Sequence, residues 1–188
     1  MMHDAKTSPV VHIALLRGIN VGGKNKLPMA TLVSMFEEAG GAEVRTYIQS
    51  GNVMFLASRT RGSKITDDVS QAIKAKLGLN VPVVVRTVGD FKKMIKANPF
   101  AEVDQPDRTV HIGFLKDKPT KANLSKLDPD RSTGDEYRVV GRHVFMHLPN
   151  GVAKTKLTNA YFDHALATTM TVRNWRTVSK ILNIAEGF

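Results

Sequence analysis

Val11-His12-Ile13-Ala14-Leu15-Leu16-Arg17 returns later in the chain as Val110-His111-Ile112-Gly113-Phe114-Leu115-Lys116, with four identities and three conservative changes. Each copy is a nearly unbroken apolar run containing β-branched residues, the pattern of a strand buried on both faces. A repeated strand of this kind makes a duplicated fold the first hypothesis, and the flanking segments can be compared copy by copy.

After the first copy, Pro28 suits a first helical position, and Met29, Leu32, Val33 and Phe36 recur at helical spacing until Gly40-Gly41. Val44 to Gln49 and Asn52 to Leu56 read as a hairpin about Ser50-Gly51. Ile65, Val69, Ile73 and Leu77 predict a second helix that stops at Gly78, and Val81 to Val88 a further strand. The order β-α-β-β-α-β is the ferredoxin-like unit. After the second copy come a short helix over 119–127, a hairpin about Gly141-Arg142 and a helix over 157–167. A last helix is read with Thr171 as its N-cap and Val172, Trp175, Val178, Leu182 and Ala185 as its apolar stripe. The expected fold class is therefore α+β, two ferredoxin-like (β-α-β-β-α) halves packed into one compact body. Residues 1–9 are expected to be a disordered N-terminus, 10–100 the first half, and 101–188 the second half with a C-terminal helix. The polar segment Ala101 to Arg108 is the expected connection.

Among 188 residues, 27 Lys and Arg stand against 17 Asp and Glu, a formal charge of +10 that is shared equally by the residues before and after Val88. A basic surface without a basic tail attracts polyanions through counterion release, and it also serves simple solubility. The absence of cysteine excludes disulfides, thiolate metal sites and cysteine nucleophiles. No apolar run approaches the ~20 residues of a membrane-spanning helix, so no membrane partner and a cytoplasmic location are expected.

The segment between the first strand and the first helix carries the candidate site. Gly18 to Lys24 fits the G-x-x-x-x-G-K phosphate-loop pattern, but Asn25 follows where Ser or Thr would hold magnesium. The helix also starts late, near Pro28, and the strand order is wrong for the parallel sheet of a nucleotide hydrolase. A simpler role remains: Arg17, Lys24 and Lys26 around the Gly22-Gly23 backbone can hold a phosphate or a carboxylate. The alternative is a solvated turn whose glycines meet positive φ and whose cations are ordinary surface charge. Asn20, Ser50 and Asn52 join this site if the hairpin turn reaches the loop, as the neighbouring first and third strands of such a sheet allow.

Other constellations carry less. His143 and His147 on one strand are separated by roughly 13 Å, too far to share a metal ion. His12 and His111 sit in apolar strands as structural residues. Trp175 falls in a core stripe, no G-x-S-x-G elbow exists, and no catalytic constellation, metal site or cofactor is expected. Asn150-Gly151 with Lys154 and Lys156 forms a second basic loop, read first as an exposed turn.

Four segments carry a family resemblance: LLRGINVGGKNKLPMATL from Leu15, TYIQSGNVMF from Thr46, NPF at Asn98 and TVRNWRTVSKIL from Thr171. With them the chain resembles the bacterial family known as domain of unknown function 1697. The resemblance implies an α+β fold of ferredoxin-like parts and transfers no mechanism or catalytic residue. Three functions are weighed: a binder of a phosphate-bearing or other anionic ligand, nucleic acid included, through loop 17–26; a small-molecule enzyme with a polar site at Asn20, Ser50 and Asn52 beside Arg17; and a protein-interaction module without a ligand.

Overall fold

The computed structural model describes residues 8–188. The first seven residues of the expected disordered N-terminus lie outside that range, and Pro9 already opens a strand. The first repeat is built from β1 (Pro9–Leu16), α1 (Met29–Glu38), β2 (Ala42–Tyr47), β3 (Asn52–Ser58), α2 (Gly62–Leu77) and β4 (Val83–Thr87). The strands form an antiparallel sheet in the order β2-β3-β1-β4. After α3 (Val88–Lys96) and the single turn α4 (Pro106–Thr109), the second repeat follows as β5 (Val110–Leu115), α5 (Lys121–Leu124), β6 (Glu136–Val140), β7 (His143–His147), α6 (Asn159–Leu166) and β8 (Met170–Asn174). Its sheet has the equivalent order, β6-β7-β5-β8, and the chain ends in α7 (Trp175–Ala185). The protein is thus an α+β fold in two halves.

Two compact units divide the chain: one runs to Lys92 and takes in Ile181–Phe188, and the other is Lys93–Lys180. In the first, one face of the sheet (Ala14, Leu16, Val53, Phe55) joins Leu32 and Phe36 of α1 and Ile65, Val69 and Ile73 of α2 in one apolar cluster. Ile13, Leu15 and Met54 on the opposite face are buried as well, which explains the unbroken apolar run of β1. In the second unit Leu115, Val144, Met146 and Met170 cluster with Phe162 and Leu166 of α6.

The repeat extends to individual hydrogen bonds. Leu16 N–H donates to Gly51 O at 2.8 Å, and Leu115 N–H donates to Arg142 O at 3.0 Å. Arg17 N–H donates to Pro82 O and Lys116 N–H to Thr169 O. Arg86 stands opposite Ile13, as Arg173 stands opposite Ile112.

One expectation is overturned. Thr171 is no helix cap but a buried strand residue opposite Phe114, and Val172 pairs with Gly113. The free edge of β5 recruits Met170–Asn174 as β8, completing the fourth strand of the second half. The helix starts only at Trp175, where Asn174 Oδ1 accepts from Thr177 N–H at 2.8 Å. Among the described residues no helix is long and apolar enough to cross a membrane.

Candidate functional site

The loop between β1 and α1 is folded by its own side chains. Val21-Gly22-Gly23-Lys24 is a tight turn in which Lys24 N–H donates to Val21 O at 3.0 Å. Both central φ angles are positive, 56° at Gly22 and 76° at Gly23, as a type I′ turn demands. Asn20 and Asn25 also adopt positive φ, which asparagine tolerates better than most residues. Asn25 Nδ2 donates to Gly18 O at 2.8 Å. The residue at the magnesium-ligand position of a phosphate loop is therefore spent on the loop itself, and α1 starts beyond it at Met29.

Asn20 organises the site. Its Nδ2 donates to Leu27 O at 2.9 Å and to Gln49 O at 3.1 Å, while its Oδ1 accepts from Leu27 N–H at 2.8 Å. The carboxamide thus closes the loop and ties it to the β2–β3 turn. In that turn Asn52 is fully buried, and its Nδ2 donates to Tyr47 O at 3.2 Å and to Ser50 Oγ at 2.8 Å. Gly51 has φ 73°, and a Cβ there would lie 2.6 Å from Leu16 Cβ, so no side chain fits.

The fold therefore brings all eight anticipated residues to one end of the first sheet, in two classes. Arg17, half-buried, and the exposed Lys24 and Lys26 supply positive charge, and neither lysine forms an ion pair among the described residues. Asn20, Ser50 and Asn52 direct their polar atoms into the framework, and Gly22 and Gly23 form the turn. Sequence spacing could not single out Gln49, whose carbonyl receives the clamp. With Asn20, Gly23, Lys26, Leu27 and Pro28 it lines a shallow hollow of about 340 Å³. Ile48 was also missed: it is 53% exposed and holds φ 48°, an uncommon conformation for a β-branched residue. With Val21, 65% exposed, it adds apolar surface beside the cations.

Elsewhere His12 and His111 serve structure. His12 stacks on Phe55 with ring centroids 5.3 Å apart, and its Nε2 lies 3.2 Å from Ser58 O. Burial lowers its pKa against the opposing pull of the carbonyl groups of Ser58 and Ala57. His111 behaves alike, lowered by burial and partly restored by Thr109 O. His143 and His147 stand at the two ends of β7.

The sequence profile described as "Protein of unknown function (DUF1697)" matches residues 10–145. No curated protein matches the chain. Among solved structures, conserved bacterial protein SP0830 from Streptococcus pneumoniae is similar, with a TM-score of 0.66 and 23% identity over 95% of this chain and 99% of that one. At that identity the likeness shows the fold alone.

Proposed function

The chain belongs to the DUF1697 family, whose description assigns no activity, and on that premise we propose that it binds a phosphate-bearing or other anionic ligand at the end of the first sheet, through the loop Arg17 to Lys26. The observation that carries the reading is the Asn20 clamp. It fixes a cationic loop against the β2–β3 turn, so its charges are presented from a rigid support rather than a loose tail. Asn20 and Asn52 act here as positioning residues, because their carboxamides are engaged with backbone and turn atoms. The hollow is shallow, and Lys24 and Lys26 of the loop are exposed, which favours a polyanion laid across the surface over a metabolite enclosed in a pocket. Nucleic acid is the polyanion this reading favours.

Calorimetry with inorganic phosphate, nucleotides, carboxylates and single-stranded RNA, on the natural chain and on Arg17→Ala, Lys24→Ala and Lys26→Ala, tests it. A charge-assisted hydrogen bond contributes roughly 1.5–3 kcal/mol, less where both partners are exposed, so each variant is expected to bind several-fold more weakly. Unchanged affinities in all three variants would reduce the loop to a turn. Magnesium-dependent turnover of a nucleotide would instead restore a hydrolase reading.

A further inference from the structure

A second cleft, of about 560 Å³, lies within the Lys93–Lys180 unit between the segment Asp104 to Thr109 and the turn that follows β7. Its volume falls in the range of small-molecule sites. The two walls are joined by the donation of Leu148 N–H to Thr109 O at 2.8 Å, and Thr109 Oγ1 pins the first wall by donating to Asp104 O and Gln105 O.

The polar side chains here are arranged unlike those of the first loop. Asp104 and Arg108 carry opposite charges four residues apart and form no ion pair with each other among the described residues. Gln105 stands between them: its Nε2 donates to Asp104 Oδ2 and its Oε1 accepts from Arg108 Nη1, both at 3.4 Å. This bridging residue has φ 47°, a conformation costly for a side chain without a special local role. On the facing wall, neither the ring nitrogens of His147 nor the carboxamide of Asn150 has a hydrogen-bond partner among the described residues. His147 is braced by the Phe100 ring, 5.8 Å between centroids. Leu148 itself turns into the core and contributes its backbone to the wall.

A carboxylate and a guanidinium held apart by an amide are complementary to a ligand that itself carries an ammonium and a carboxylate a few ångströms apart. We propose that this cleft binds a free α-amino acid, with the ammonium on Asp104 and the carboxylate on Arg108 and the facing polar groups of His147 and Asn150. The charged groups are exposed, so binding is weak and specificity comes from the paired charges rather than from burial. The inference does not rest on the loop Arg17 to Lys26.

The experiment is a heteronuclear NMR titration with L-leucine, and separately with acetate and methylammonium, on the natural chain, Asp104→Asn, Arg108→Gln and Lys24→Ala. Leucine is expected to shift the backbone signals around Asp104 to Thr109 and His147 to Gly151. Each single-charge fragment and each cleft variant should bind about fivefold or more weakly, as expected for exposed charge-assisted contacts. Lys24→Ala should bind leucine like the natural chain, which separates this site from the loop. No shift in the cleft at millimolar leucine, acetate binding as tightly as leucine, or an affinity for leucine in both cleft variants equal to that of the natural chain would each overturn the proposal.

Discussion

Asn20 Nδ2 and the carbonyl oxygen of Gln49 lie 3.1 Å apart, in one of three hydrogen bonds by which a single carboxamide holds the β1–α1 loop closed and attached to the β2–β3 turn. Asn20→Ala removes all three and places a Cβ-bearing residue without side-chain compensation at φ 53°. A loss of about 1–3 kcal/mol is expected, because buried or half-buried partners are left unsatisfied. Urea denaturation measures it. A midpoint equal to that of the natural chain would show that the clamp is incidental.

Acid should destabilise the fold. The folded-state pKa values of His12 and His111 lie below the ordinary 6.5, because burial penalises the charged ring. As pH falls below about 6.5 the unfolded chain therefore takes up protons that the folded one refuses. Stability is complete above that value and is lost below it, at up to about 1.4 kcal/mol per pH unit for each histidine. Urea midpoints at pH about 7.5 and about 5 test this, with His12→Gln expected to flatten the dependence. A midpoint that does not fall in acid would contradict the buried neutral state of these rings.

Two glycines sit against side chains of different stiffness. A Cβ on Gly62 would run into the His12 ring, which is already stacked on Phe55, whereas one on Gly113 would meet the flexible thioether of Met170. Gly62→Ala should cost about 1–3 kcal/mol despite the helix propensity that alanine adds. Gly113→Ala should cost less. Thermal melts of the two variants, compared side by side, decide the order, and the reverse order would mean that the His12 ring moves freely.

Single-stranded RNA, if it lies across the loop, must displace counterions there. The affinity should fall linearly with salt on a double-logarithmic plot, and replacing Lys24 and Lys26 together should reduce the slope by somewhat under one for each lysine lost. Anisotropy titrations over a salt series give the slope. An unchanged slope would place the RNA elsewhere on this basic protein.

The parts of the fold that could be read from sequence are those where local chemistry and tertiary demand coincide. Gly51 is required both by its positive φ and by the proximity of Leu16, and Gly78 ends α2 in the left-handed conformation at φ 69°. β8 was hidden because Val172 shares a helical spacing with Trp175 and Val178, and only the unpaired edge of β5, distant in sequence, assigns it to a strand. At the candidate site the cations were legible as composition. The roles of Asn20 and Asn52 were not, since a carboxamide turns toward a ligand or toward the backbone according to which carbonyl groups the fold brings near, here Leu27, Gln49 and Tyr47. The second cleft was invisible for the same reason: Arg108 and His147 become neighbours only through the pairing of β5 with β7.

The matched hydrogen bonds of the two repeats give the protein an internal control. Leu16 and Leu115 end equivalent strands and make equivalent bonds, yet the first is followed by residues 17–28 before its helix and the second by residues 116–120 only. The second repeat therefore shows the same scaffold without the elaborated loop. Residues 17–28 are an elaborated link that is anchored in the core by Ile19 and Leu27, so exchanging only the exposed stretch between those two anchors for residues of the short Lys116-Asp117-Lys118-Pro119-Thr120 link separates what the loop does from what the sheet does.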